Sequence, residues 1–124
     1  MHKPVGYSHV AEITQGKIIY IAGQVAMDAS GNLVGKDDLA AQTRQVFSNL
    51  QTALAAAGAD FSSVVKFNYY LAAAVDPAEI ATVRTVRDGY INTANPPAST
   101  FVVVSRLVRP EWLIEIEAVA AVSV

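Results

Sequence analysis

The sequence predicts one α+β domain of order β-β-α-β-α-β-β, a mixed sheet with two helices packed on one face. Three observations lead there. Apolar runs rich in β-branched and aromatic residues alternate with only two segments of helical periodicity, so strands outnumber helices. At 124 residues the chain, taken as a single domain over 1–124, is long enough for one real core and too short for two. Its 52% apolar and 16% charged residues are an oily balance for a small monomer, and oligomerisation is the simplest way to cover the surplus.

Residues 7–14 and 17–25 read as two strands about the turn Gln15-Gly16, a predicted hairpin. Asp28-Ala29-Ser30-Gly31-Asn32 is a polar reversal. Leu39, Val46, Phe47, Leu50, Leu54 and Ala57 recur at helical spacing, with Asp37 or Asp38 as N-cap and Gly58 as stop. Val64 to Leu71 is the next strand. A second helix opens at Asp76-Pro77-Ala78-Glu79, where Asp76 can cap, Pro77 fits the first turn and Glu79 can reach back to the cap. Ile80, Val83, Val86, Arg87 and Tyr90 follow on neighbouring faces. Two final strands, Thr100 to Ser105 and Leu113 to Val122, flank a segment that Pro110 keeps from pairing. The face of the sheet away from the helices needs a cover. A neighbouring subunit would supply it and would put clefts at the subunit boundaries.

Composition narrows the function classes. No apolar run approaches the ~20 residues of a membrane span, and no signal-type stretch follows Met1-His2-Lys3-Pro4, so the expected location is cytoplasmic, with no membrane partner. Without cysteine there is no disulfide, thiolate nucleophile or cysteine-held metal. A net charge of −2 and the lack of a basic cluster speak against nucleic acid as partner. His9 stands two residues from Tyr7 on a strand, and with His2 in a loose terminus no metal cluster or cofactor site is expected. Ser99 and Thr100 lack the His and Asp partners and the glycine elbow of a serine hydrolase. Tyr69 and Tyr70 point to opposite faces, so only one can line a given cleft. Lys66 reads as a solvated or snorkelling residue.

Seven motifs, in this order, resemble the Rid family (also called YjgF or L-PSP, the reactive-intermediate deaminases). They are Tyr7-Ser8-His9, Ile19 to Val25 with its Gly23-Gln24 turn, Gln42 to Leu50, Ala56-Ala57-Gly58-Ala59, Val64-Val65-Lys66, Pro97-Ala98-Ser99-Thr100 and Glu115-Ile116-Glu117-Ala118. The resemblance spans nearly the whole chain. It implies a chorismate-mutase-like fold, a homotrimer with three intersubunit clefts for a small-molecule metabolite, and hydrolysis of imines or enamines to 2-oxo acids and ammonia. By the same resemblance Glu115 is the catalytic carboxylate that orients water, and Tyr7, Gly23, Gln24, Ser99 and Thr100 line the substrate cleft.

One position departs from the deaminases. Where their Pro-Ala-Arg pattern carries an arginine that grips the substrate carboxylate, this chain has Ser99, which sets it outside the arginine-bearing branch. A serine gives one neutral hydroxyl in place of a charged fork. A charge-assisted hydrogen bond contributes roughly 1.5–3 kcal/mol, so loss of a bidentate pair weakens carboxylate binding by about a hundredfold. Ser99→Arg is accordingly expected to raise activity on 2-imino acids. Arg106 lies an odd number of residues away and is expected to face the other way, whereas Arg87, Arg109 or a neighbouring subunit's arginine could reach the cleft. Three readings stay open at this point: a deaminase-like hydrolase of labile C–N compounds, a metabolite-binding trimer without turnover, and an endoribonuclease or translation inhibitor. Glu115 and Glu117 share a strand face and would equally serve as structural polar contacts.

Overall fold

The computed structural model of the chain describes residues 1–123. Strand β1 (Lys17–Gln24) leads to helix α1 (Leu39–Ala56), and strand β2 (Val64–Ala72) to helix α2 (Ile80–Asp88). Strands β3 (Ala98–Val104) and β4 (Ile114–Val122) complete the order. The four strands form one mixed sheet in the order β1-β4-β2-β3. β4 runs antiparallel to both β1 and β2, and β3 runs parallel to β2 after the crossover through α2.

Both helix starts are written locally. Asp38 is extended and its carboxylate accepts from Ala41 N–H at 3.0 Å, capping α1. At the other end Gly58 takes φ 75°, and Ala59 N–H reaches back to Leu54 O at 2.8 Å, closing the helix. Asp76 caps as expected, accepting from Ala78 N–H, but Pro77–Glu79 form a 3₁₀ turn and α2 begins only at Ile80. Glu79 returns to the cap through its backbone N–H, which donates to Asp76 O at 2.9 Å, and not through the side-chain bond expected from sequence.

The predicted strand over residues 7–14 is not formed. Only Ser8 makes a bridge, parallel to Ala98 at the head of β3, through Ser8 N–H to Pro97 O (2.9 Å) and Ser8 Oγ to Pro96 O (2.6 Å). That anchor holds the segment at the sheet edge opposite β1, so the hairpin at Gln15-Gly16 does not exist. β1 instead takes the last strand as its neighbour, Lys17 opposite Val122. The described residues therefore form four strands and two α-helices rather than five strands.

Register sorts the side chains onto two faces. Ile19 and Ile21, Phe67, Tyr69 and Leu71, Ile114, Ile116, Ala118 and Ala120 face the helices and pack on Val46, Phe47, Leu50, Leu54 and Val83. Phe47 stacks on Tyr90 (5.0 Å, 15°) and meets Phe67 edge-on at 5.9 Å. Full burial of each such side chain stabilises by about 1.5–3 kcal/mol. The opposite face carries Tyr20, 79% exposed, with Ile18 and Val102 also exposed. It is an open sheet surface on which these apolar groups stand beside polar ones such as Tyr70, Glu115 and Glu117.

Candidate functional site

Two amides on α1, one buried and one half-buried, place the loops that matter. Gln42, fully buried, donates through Nε2 to Gly35 O and Glu111 O and accepts Leu113 N–H at 2.9 Å, fixing the approach to β4 and hence Glu115. Asn49 Nδ2 donates to Val25 O (3.0 Å) and Met27 O (2.9 Å), fixing the exit of β1 just after Gly23 and Gln24. Both belong to the Gln42–Leu50 motif, so that stretch of helix acts as a clamp for two strand ends.

Between β1 and β4 the pairing passes from Ile21↔Ala118 to Gln24↔Ile116, three residues against two, which is a bulge. The bulge brings Gly23 against Glu115: a Cβ at Gly23 would overlap Glu115 Oε2. Any larger residue there would push the Glu115 side chain out of this position. Gln24 turns its amide back to Ala22 O at 3.0 Å.

Glu115 lies on the open face beside Glu117 and opposite Tyr70. Tyr70 Oη donates to Glu117 Oε1 at 2.6 Å, and Asn68 Nδ2 donates to the same oxygen at 3.1 Å. Partial burial, and then the neighbouring Glu117 charge, raise the Glu115 carboxyl above the ordinary glutamate value. The hydrogen bond to Glu117 holds the Tyr70 phenol above its ordinary value. A cavity of about 320 Å³ is lined by Tyr70, Val104, Arg106, Leu107, Val108, Glu115 and Glu117. Arg106 thus stands on the Glu115 side, away from Ser99, as strand parity predicts.

Ser99 and Tyr7 are elsewhere. Ser99 pairs with Phe67 on the helix face and shares a cavity of about 240 Å³ with Val5, Tyr7, Arg84, Arg87 and Phe101. Arg87 is buried. Thr100, next to Ser99, turns to the open face and accepts from Lys66 Nζ at 2.6 Å, so Lys66 has a partner rather than a free head. Arg109 sits over the Trp112 ring, 5.3 Å from its centroid, and outside this cavity.

The N-terminus is tied down, contrary to the loose end predicted for His2. Its Nε2 lies 2.5 Å from Tyr7 Oη, and its carbonyl oxygen lies 2.7 Å from His9 Nε2. The two imidazoles meet edge-on at 4.7 Å. Among the described residues no group of three or more His, Cys, Asp or Glu side chains is placed to hold a metal.

The predicted site residues therefore fall into two separate groups, on opposite faces of the sheet. Gly23, Gln24 and Glu115 gather at the β1–β4 bulge, while Tyr7 and Ser99 gather at the edge of β3 beneath α2, and Thr100 joins neither. Sequence reasoning named Arg87 only as one of several arginines. The signal was present: Arg87 follows Val83 by four residues and so belongs to the buried stripe of α2.

A four-stranded mixed sheet with two helices on one face is of the small α+β class. The chain belongs to the Rid family: the family model described as Endoribonuclease L-PSP matches residues 2–122. A Rid-family protein of unknown function from Yersinia pestis, YyfB, has a crystal structure that superposes with a TM-score of 0.89 at 43% identity, covering 94% of this chain and 87% of that one. A RutC family protein of Pyrococcus horikoshii is 39% identical over 119 residues, 95% of this chain and 89% of its own. The 2-iminobutanoate/2-iminopropanoate deaminase of Bos taurus is 36% identical over 105 residues, 84% of this chain and 72% of its own. No helix among the described residues is long and apolar enough to cross a membrane.

Proposed function

We propose that this protein hydrolyses a labile C–N bond, an imine or its enamine tautomer, in clefts completed between subunits of a cytoplasmic homotrimer. The observation that carries the reading is Glu115: a partly buried carboxylate with a raised pKa, seated against Gly23 and lining a cavity of about 320 Å³ that can take water and a small substrate. Water adds to the C=N carbon as its proton passes to the Glu115 carboxylate. The carboxyl returns that proton to nitrogen, giving a carbinolamine; Glu115 then takes the hydroxyl proton and delivers it to the amine as the C–N bond breaks, and a carbonyl and ammonia leave. A raised pKa suits a group that both takes and gives a proton near neutrality.

The trimer is needed because the two groups of site residues lie on opposite faces of one sheet. Covering the open face, with its exposed Tyr20, Ile18 and Val102, would stabilise the assembly and bring one subunit's Glu115 towards a neighbour's Ser99 edge. The bovine deaminase relative supports the reaction class. The family description names an endoribonuclease, but a net charge of −2 offers little for a phosphate backbone to bind.

The test follows freshly generated 2-iminobutyrate and 2-aminoacrylate. Loss above the spontaneous rate in the wild-type protein, falling by about 10²–10⁴-fold in Glu115→Gln, is the expected result. Wild-type rates equal to the spontaneous ones, or unaffected by Glu115→Gln, would overturn it and leave a binding module.

A further inference from the structure

Taking a guanidinium out of water is costly unless its donors are met. Arg87 is only 8% exposed, and its carboxylate partner among the described residues is Asp88. Both Nε and Nη2 reach the same oxygen, Asp88 Oδ1, at 2.9 Å. Guanidinium offers five N–H donors. Nη1 meets no protein acceptor among the described residues. The Asp88 side chain is itself 45% exposed, and an ion pair with one partner in water contributes little to stability. The fold therefore buries a cation and leaves part of its fork unused.

The surroundings are shaped to that cation. Gly6 adopts φ 76°, and a Cβ there would overlap Arg87 Nη2, so the N-terminal segment passes the guanidinium at a distance that only a glycine in a left-handed conformation permits. The hydroxyl-bearing residues Ser99 and Tyr7 line the same cavity with Arg84. The charges of Arg84 and Arg87 against Asp88 leave one positive charge over. At about 240 Å³ the cavity is below the ~300–1,000 Å³ of drug-sized sites, which suits a small organic acid.

We infer that Arg87 is the specificity-determining residue of the cleft: from helix α2 it grips the carboxylate of a small monoanionic substrate, at a site where strand β3 offers only Ser99. The fork that β3 lacks is supplied by the helix, and the Ser99 hydroxyl is one more donor beside it. The probe for this inference is chosen from the hydrolase reading above; the binding it describes requires no turnover.

The experiment is an NMR titration of the wild-type protein with 2-oxobutyrate and with its neutral amide, 2-oxobutyramide, repeated on Arg87→Met and Arg87→Lys. The acid is expected to bind wild type about thirtyfold or more tightly than the amide, with shifts at Gly6, Ser99 and Arg87. Arg87→Met should weaken the acid by about thirty- to a hundredfold without changing amide binding, and Arg87→Lys, which keeps the charge but not the fork, by about tenfold. Equal wild-type affinity for acid and amide, or undiminished acid binding in Arg87→Met, would overturn the inference. The wild-type comparison needs no substitution, so it decides the matter even where Arg87→Met fails to fold. Acid-selective binding without imine hydrolysis would sink the hydrolase reading alone. Hydrolysis without acid selectivity would sink the role of Arg87 alone.

Discussion

The two faces of the sheet carry opposite chemistry on the same four strands. Towards α2, a small cavity holds Arg84 and Arg87 with the hydroxyls of Ser99 and Tyr7. On the open face, Glu115 and Glu117 stand with Tyr70 around a second cavity, and Arg106 is the cation at its rim. Within one chain the thickness of the sheet keeps the Arg87 guanidinium and the Glu115 carboxyl apart, so neither pairs with the other.

The comparison breaks most visibly if the open face needs no partner. Tyr20→Ser removes the most exposed aromatic of that face without touching the core, so the folded subunit should survive while sedimentation shifts from trimer towards monomer and imine hydrolysis falls to the spontaneous rate. An active monomer would show that one chain's face suffices.

The next test is thermodynamic. Burial and the Glu117 charge raise the folded-state pKa of Glu115 above the ordinary 4.5, so its ionised form is disfavoured by folding. That penalty is absent below about pH 4.5, grows as pH rises through the raised value, and is fully present above it. Glu115→Gln should therefore melt higher than wild type at neutral pH, with the difference closing as the pH falls towards 4. A difference independent of pH would mean that Glu115 is not strained by its surroundings.

On the helix face the corresponding test is Tyr69→Phe. The Tyr69 hydroxyl is buried without a hydrogen-bond partner, and burial drives its phenol far above the ordinary range. Removing it should stabilise the subunit by about 1 kcal/mol in chemical denaturation, because an orphaned polar group is lost with no change of shape. The smallest effect is expected from Ser99→Arg. The sequence alone predicts a gain on 2-imino acids. With Arg87 and Arg84 already lining that cavity, a third cation meets like charge, and the change in acid affinity should stay within about threefold. A hundredfold gain would mean that wild type lacks the grip assigned to Arg87.

The helices were legible because their signals are local: Asp38, Gly58 and Asp76 act on backbone groups within four residues of themselves. The composition of segment 7–14 fits a strand, while its fate rests on Ser8 and Pro97, 89 residues apart in sequence and bonded in space. The site shows the same division. Glu115 and Gly23 were named from motifs, yet their contact depends on a bulge that no single-strand pattern reveals. That Ser99 and Glu115 lie on opposite faces follows from the register of β2 with both β3 and β4, which is a property of the sheet and not of any one strand. Arg87 could have been found as a charge on the apolar stripe of α2.

Pairing β1 with β4 also has a consequence in time. During synthesis, Lys17–Gln24 emerges long before Ile114–Val122, the strand that supplies its hydrogen bonds. At ~5–20 residues per second, β1 waits on the order of 5–20 s with unpaired backbone and two exposed isoleucine faces. Sheets closed by contacts so distant in sequence form late and slowly. The β1 edge, with Ile18 and Tyr20 on it, is where a nascent chain is most open to a chaperone or to another nascent copy of itself.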